Sequence, residues 1–235
     1  LFDLDGVITD TASLHARAWK ELFDEFLARW SDAHGLPMQP FTIEGDYRRY
    51  VDGKRRYDGV ASFLESRGIS LPRGEPTDGP DAQTVSGLGN RKDGYFLAAL
   101  DDQGVEVFDD AVALLDAVRA AGKRSAIVSA SENCERILRR AGLLDRFDAR
   151  VTGIEAAAWH LPGKPAPDTF LKAAELLGVP PARAVVLEDA ISGVQAGKAG
   201  GFGLVVGVDR GEAGEGLAAN GADIVLRDLR ELAER

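Results

Sequence analysis

Short apolar, β-branched runs alternate with helical patterns along most of the chain. Residues 1–4, 125–129, 184–187, 204–208 and 223–226 read as strands, and residues 110–121, 132–141, 168–177 and 191–199 read as helices between the later ones. Strands separated by helices of this length form βαβ units. The expected fold is therefore α/β, a Rossmann-like mostly parallel sheet with helices on both faces. Gly122, Gly142, Gly178 and Gly200 each follow a helical run closely, where C-terminal caps occur.

The stretch from the first strand to about residue 105 has a different texture. Residues 13–30 read as a long amphipathic helix, 56–67 as a second and 92–100 as a third. Between them lie loop-like segments, notably 69–90, rich in Gly, Pro, Asp and Ser, and no strand pattern occurs. The simplest organisation is a three-layer α/β/α core of residues 1–10 and 104–235, with 11–103 inserted as a helical cap. Linkers near 9–12 and 101–105 would join the two, so that opening and closing gates the site. Because the first strand would begin at residue 1, a few residues are expected ahead of it.

Composition narrows the class. The 235 residues carry 28 Lys plus Arg against 38 Asp plus Glu, a formal net charge of −10. Hydrophobic residues at 45% and charged residues at 28% exclude a disordered chain. No apolar run approaches the ~18 residues that span a bilayer. Cys134, the single cysteine, excludes a disulfide scaffold and fits a reducing compartment, so a cytoplasmic protein is expected. The acidic balance argues against nucleic acid as a partner, which would need a broad basic surface, and leaves room for a small phosphate ester. Nothing marks an association face, so a monomer is the expectation.

Candidate chemistry collects at strand ends. Asp3 and Asp5 in Phe2-Asp3-Leu4-Asp5-Gly6 are two residues apart, so in extended chain they point the same way, ~6–7 Å apart. One carboxylate could act as nucleophile or metal ligand and the other handle protons; a polar strand end is the plain alternative. Ser129-Ala130-Ser131 closes a second strand with hydroxyls and N–H groups suited to an anion, although Ser131 could simply cap the next helix. Lys164 sits between turn-formers in Gly163-Lys164-Pro165-Ala166-Pro167, a loop stiff enough to present a cation to phosphate. Glu188-Asp189 ends another strand with paired acids, which repel unless a cation or hydrogen bonds offset them. Each signal is weak alone, but together they fall where doubly wound folds bind ligands.

Other patterns exclude alternatives. Gly193-Val194-Gln195-Ala196-Gly197-Lys198 has three residues between its glycines and is followed by Ala199, so it is not a P-loop. Gly87-Leu88-Gly89 lacks the third glycine of a dinucleotide fingerprint. His15, His34 and His160 lack zinc-ligand spacing.

In this order, the four strand-end sites resemble the haloacid-dehalogenase superfamily over essentially the whole chain. That resemblance implies a helical cap on a Rossmann-like core and Mg²⁺-dependent phosphoryl transfer through an aspartyl-phosphate. By position, Asp3 would be the nucleophile and Asp5 the general acid/base. Ser129, the Ala130 backbone and Lys164 would hold the phosphoryl oxygens. Asp189, with the Asp3 carboxylate and the Asp5 carbonyl, would hold Mg²⁺, with Glu188 as a supporting or alternative ligand. Within the superfamily, Val7-Ile8-Thr9-Asp10-Thr11-Ala12, His15, Arg17-Ala18-Trp19, Gly53, Arg56 and Arg91-Lys92 are similar to the β-phosphoglucomutase family. Thr11 and His15 would then act at the hinge around Asp5, and Arg56 and Lys92 would take a sugar phosphate's distal end. Glu132 departs from that pattern, standing where the family usually carries lysine. The resemblance implies a sugar-phosphate mutase ahead of a sugar-phosphate phosphatase, with a non-catalytic sugar-phosphate-binding protein third.

Overall fold

The structure, a computed structural model, describes residues 1–211 and 213–233. The chain forms two compact units: one of Leu1–Thr11, Gly53–Arg55 and Val105–Arg235, the other of Ala12–Asp52 and Arg56–Gly104. Gly53–Arg55 interrupts the insert and belongs to the first unit.

The first unit is built on a parallel sheet. Its strands are β1 (Ala126–Val128), β2 (Ala149–Val151), β3 (Val185–Glu188), β4 (Leu204–Val208) and β5 (Ile224–Leu226). β1 pairs with β2, and β3, β4 and β5 pair in that order, all parallel. Residues 1–3 join the two groups: Phe2 bridges Ile127 on one side and Leu187 on the other. The Phe2 and Asp3 amides donate to the Ala126 and Leu187 carbonyls at 2.8 and 3.0 Å. The resulting order is β2-β1-N-terminus-β3-β4-β5, which sets the N-terminal residues at the centre of a Rossmann-like α/β core.

Alternating strand residues turn to opposite faces, and here both sets are buried. Ala126, Val128, Val151, Val186 and Val205 pack into one core with Phe170, Ala173, Val194 and Leu217. Phe2, Ile127, Leu187 and Val206, on the other face, are equally buried, and the Phe2 ring meets Phe147 edge-on. Two covered faces explain why these strands read as continuous apolar runs. The helices of this unit are α4 (Asp109–Ala120), α5 (Cys134–Arg140), α6 (Gly153–Ala158), α7 (Asp168–Leu177), α8 (Ile191–Ala199), α9 (Gly214–Ala219) and α10 (Arg230–Ala233), following the second unit's α1–α3 in chain order.

The second unit is helical among its described residues. α1 (Ala12–His34), a π-helical segment Ile43–Val51, α2 (Arg56–Ser66) and α3 (Val85–Gln103) enclose an aromatic core. Trp19, Phe23, Phe26 and Leu27 fall on one face of α1 and pack with Phe41, Phe63 and Leu88. Phe23 and Phe63 have ring centroids 4.1 Å apart.

Several elements differ from the pattern reading. The first strand stops at Asp3, because Leu4 bends and the Ile8 and Thr9 amides both donate back to its carbonyl at 3.0 Å. β2 was not visible as a strand, since its short run Ala149-Arg150-Val151 is broken by a charge. α3 starts at Val85, not 92, and so takes in part of the expected 69–90 loop. Its glycines hid the helix, yet Gly89 serves packing: a Cβ there would stand 2.7 Å from the Tyr57 ring. α1 runs to His34, and the His34 ring stacks on Trp30 with centroids 4.1 Å apart. Gly122, Gly142 and Gly178 have positive φ as caps do, but Gly200 stays right-handed at −76° and Gly201 takes the left-handed position at +65°. Among the described residues, no helix is long and apolar enough to cross a membrane.

Candidate active site

The site in the first unit grows from the centre of the sheet. Strand pairing with β1 and β3 fixes the backbone of Phe2 and Asp3, so the Asp3 side chain emerges at the sheet's end, 6% exposed. The chain then turns through residues 4–9. Gly6 is required in this turn: its φ is +86°, and a Cβ would stand 1.8 Å from Asp189 Oδ2. A turn, not strand periodicity, therefore sets the direction of Asp5.

Asp5 is held from two sides. The Thr11 hydroxyl donates to Asp5 Oδ1 at 2.5 Å, and Ser129 Oγ donates to Oδ2 at 3.3 Å. Thr11 is buried and shares a 2.7 Å contact with the Thr9 hydroxyl, which itself donates to the Leu4 carbonyl at 3.3 Å. The sequence places Thr9 in the linker and in the resemblance-bearing run but not among the site residues, because a lone hydroxyl in a turn carries no signal of its own. Ser129 also accepts from the Ser131 amide at 3.1 Å. Ser131 Oγ accepts from the Asn133 amide at 3.1 Å, as a cap would, but α5 starts at Cys134 with Asn133 in the cap position. Ala130 lies beside Gly153, whose Cβ would come within 2.7 Å of the Ala130 carbonyl.

Lys164 reaches the same point from the loop before α7. Its ammonium donates to Asp3 Oδ1 at 2.5 Å and to the Val128 carbonyl at 3.2 Å, and forms an ion pair with Glu188. The Phe170 ring lies 5.0 Å from its Nζ. Glu188 is fully buried, and its other oxygen accepts from the Ala190 amide at 3.1 Å. Gly193 makes room for that carboxyl, because a Cβ there would lie 1.9 Å from it. This is the physical role of the first glycine in a stretch that only superficially suggests a P-loop, whose second, Gly197, packs against Val205 and Val186.

Buried acids and one buried lysine act on each other across the site. Burial pushes the Asp3 carboxyl well above the usual range, and the Glu188 and Asp5 carboxylates push it the same way against Lys164. Burial works against the Lys164 charge, but Asp3 and Glu188 outweigh it and hold the ammonium above its ordinary value. Burial likewise raises the Cys134 thiol, so this cysteine is a packing residue rather than a thiolate nucleophile. Carboxylate oxygens of Asp3, Glu188 and Asp189 all lie within 4.8 Å of one another. Three carboxylates from two distant parts of the chain that converge this closely make a donor set that fits a divalent cation. Its all-oxygen chemistry suits Mg²⁺.

The remaining candidates, His15, Arg56 and Lys92, belong to the helical unit. Lys92 is buried, with its ammonium 2.5 Å from His15 Nδ1 and over the Trp19 and Phe96 rings at 5.0 and 4.9 Å. His15 stacks on Phe96 with centroids 3.9 Å apart. Arg56 pairs with Asp93 at 2.9 Å and lies over the Tyr57 ring. Arg91 is tied to its own loop through the Pro80 carbonyl at 2.7 Å.

The chain is similar to known proteins along nearly its whole length. A family model described as haloacid dehalogenase-like hydrolase matches residues 1–201. Beta-phosphoglucomutase from Mycobacterium tuberculosis is 53% identical over 236 residues, covering 99% of this chain and 90% of that protein. The crystal structure of beta-phosphoglucomutase from Clostridium difficile matches with a TM-score of 0.74 at 25% identity, covering 98% of this chain and 91% of that one. CbbY from Rhodobacter sphaeroides, solved as a D10N mutant with xylulose-(1,5)bisphosphate, matches with a TM-score of 0.71 at 26% identity, covering 98% and 94%.

Proposed function

Because the chain belongs to the haloacid dehalogenase-like hydrolase family and is an enzyme of its phosphotransferase type, we propose that it is a Mg²⁺-dependent sugar-phosphate mutase acting through a phosphorylated Asp3. The observation that carries this reading is the buried contact of Lys164 with both Asp3 and Glu188, beside an Asp5 held by Thr11 and Ser129. A carboxylate attacking phosphate must overcome like-charge repulsion, and a fixed, desolvated ammonium lowers that cost.

The residues divide the work. Asp3 attacks the phosphoryl group. Asp5, protonated, gives its proton to the departing oxygen and then takes one from the hydroxyl that attacks next. Ser129, the Ala130 N–H and Lys164 hold the phosphoryl oxygens. The Asp3 and Asp189 carboxylates and the Asp5 carbonyl would hold Mg²⁺, while Glu188, engaged with Lys164 and the Ala190 amide, chiefly orients that lysine. When bound, the ion supplies charge neutralisation at the transferring phosphoryl group. Arg56 and Lys92 are assigned to the sugar and its distal phosphate, and Thr11 and His15 to the hinge around Asp5. The acceptor is then a sugar hydroxyl, and the enzyme works as a cytoplasmic monomer.

The test supplies β-glucose 1-phosphate, Mg²⁺ and a trace of the 1,6-bisphosphate, and follows glucose 6-phosphate and free phosphate together. Glucose 6-phosphate forming far faster than phosphate, and lost in Arg56→Ala, supports the mutase. Phosphate release alone, indifferent to Arg56, would make water the acceptor and the enzyme a sugar-phosphate phosphatase. Binding without either product would mark a non-catalytic sugar-phosphate-binding protein.

A further inference from the structure

The turn that aims Asp5 is braced by a residue from the far side of the sequence. Arg210 follows the end of β4. Its Nε donates to the Gly6 carbonyl at 3.3 Å and its Nη2 to the Val7 carbonyl at 3.1 Å. Nη1 donates to Asp110 Oδ2 at 2.8 Å and to the Arg227 carbonyl at 3.4 Å. The guanidinium lies over the Phe108 ring, 4.0 Å from its centroid. Asp110 is itself fixed, buried and accepting from the Leu229 amide at 2.8 Å.

This one side chain meets three segments of the chain: 6–7 and 227 through backbone carbonyls, and 108–110 through a ring and a carboxylate. The outgoing turn and the returning segment already touch: the Phe108 amide donates to the Ile8 carbonyl at 2.9 Å, and the Asp10 amide to the Glu106 carbonyl at 3.0 Å. Arg210 grips the outgoing turn by two carbonyls and the returning segment by a ring and a carboxylate. The turn is also closed at its other side, where Asp189 fills the place of a Gly6 side chain. Residues 6 and 7 are therefore held between Asp189 and Arg210. Asp5 enters this turn and Thr11 follows it, so the 2.5 Å bond between them depends on how firmly the turn is held.

We propose that Arg210 is a positioning residue for proton transfer by Asp5, acting by locking the backbone of residues 6 and 7. The inference rests on the reading of Asp5 as acid and base. Its chemistry requires arginine: a planar fork reaches two carbonyls and a carboxylate while stacking on a ring, whereas a lysine ammonium is a single point on a flexible stem. A misplacement of about 1 Å in a reacting group costs up to ~100-fold in rate.

The experiment compares wild type, Arg210→Lys and Arg210→Ala as full-length protein with Mg²⁺. Amide hydrogen exchange is read at Gly6, Ile8 and Thr9, with Asp3 and Val128 as sheet references. Conversion of β-glucose 1-phosphate is read as separate kcat and KM. The expected result is exchange at least ~10-fold faster at the turn amides with the sheet references unchanged. With it, kcat falls roughly 10–100-fold in Arg210→Ala and by less in Arg210→Lys, while KM stays within about threefold. Arg210→Lys keeps a cation opposite Asp110 and carries the test should Arg210→Ala fail to fold. Unchanged exchange at the turn overturns the brace, whatever the wild type catalyses. Faster exchange with unchanged kcat overturns the positioning role. A wild type that transfers no phosphoryl group overturns the functional reading and the proton-transfer role with it, and the exchange data distinguish that failure from failure of the brace.

Discussion

Replacing Gly193 with alanine should destabilise the protein even though the position lies inside a helix. In a free helix interior, Gly→Ala is favourable by about 1 kcal/mol. Here the added Cβ would stand 1.9 Å from both Cδ and Oε1 of Glu188, and 2.3 Å from Oε2. Glu188 is fully buried, paired with Lys164 and bonded to the Ala190 amide, so its carboxyl cannot swing into water. Breaking a buried ion pair costs roughly 3–5 kcal/mol. Offset by the helix gain, the net loss is about 2–4 kcal/mol, or roughly 5–15 °C in melting temperature for a chain of this size. Gly216→Ala is the matched control in α9 of the same unit, where the new Cβ would meet only Ile191 Cδ1 at 3.6 Å. It should raise stability by about 0.5–1 kcal/mol. Scanning calorimetry of both variants, with phosphoryl transfer measured alongside, gives the answer. A Gly193→Ala protein as stable and active as wild type would refute the argument that this glycine exists to seat Glu188.

Three further outcomes follow from the same geometry. Lys164→Met should lower kcat by at least ~100-fold, since it removes the buried ammonium bonded to Asp3, and Asp3→Asn should abolish turnover; single-turnover labelling with a radioactive phosphoryl donor would show whether Asp3 carries the group. Millimolar Mg²⁺ should raise the melting temperature of wild type but not of Asp189→Asn, because an ion that binds only the folded acid cluster stabilises by mass action; equal shifts in both would remove Asp189 from the ligand set. Asp110 lies below the usual carboxylate range: burial acts to raise it, but the Arg210 guanidinium and the Leu229 and Ala111 amides outweigh burial. A depressed folded value means the stabilisation is full above the unfolded value of about 4 and is lost as pH falls through the folded value, so Asp110→Asn should flatten the acid limb of a urea-midpoint profile below about pH 4.

The sequence alone determined the alternation of strands and helices, the family and the residues that converge at the strand ends, because burial on both sheet faces and chemistry at strand ends leave local marks. Asp3, Ser129, Lys164, Glu188 and Asp189 were legible for that reason, and α7 and α8 matched their patterns residue for residue. Tertiary structure decided what local pattern cannot carry. Gly89 and Gly193 read as helix weakeners, yet each makes room for a side chain outside its own helix, Tyr57 in one case and, across the turn before α8, the Glu188 carboxyl in the other. β2 is a strand because β1 pairs with it, although its own three residues include a charge. The direction of Asp5 follows from a turn closed by Thr9 and Thr11, not from strand periodicity. Arg210 follows a strand end like the other site residues, and only the folded chain shows its guanidinium reaching back some two hundred positions to the Gly6 and Val7 carbonyls. Such a contact has no period and no motif, because it is set by where two distant loops meet in space.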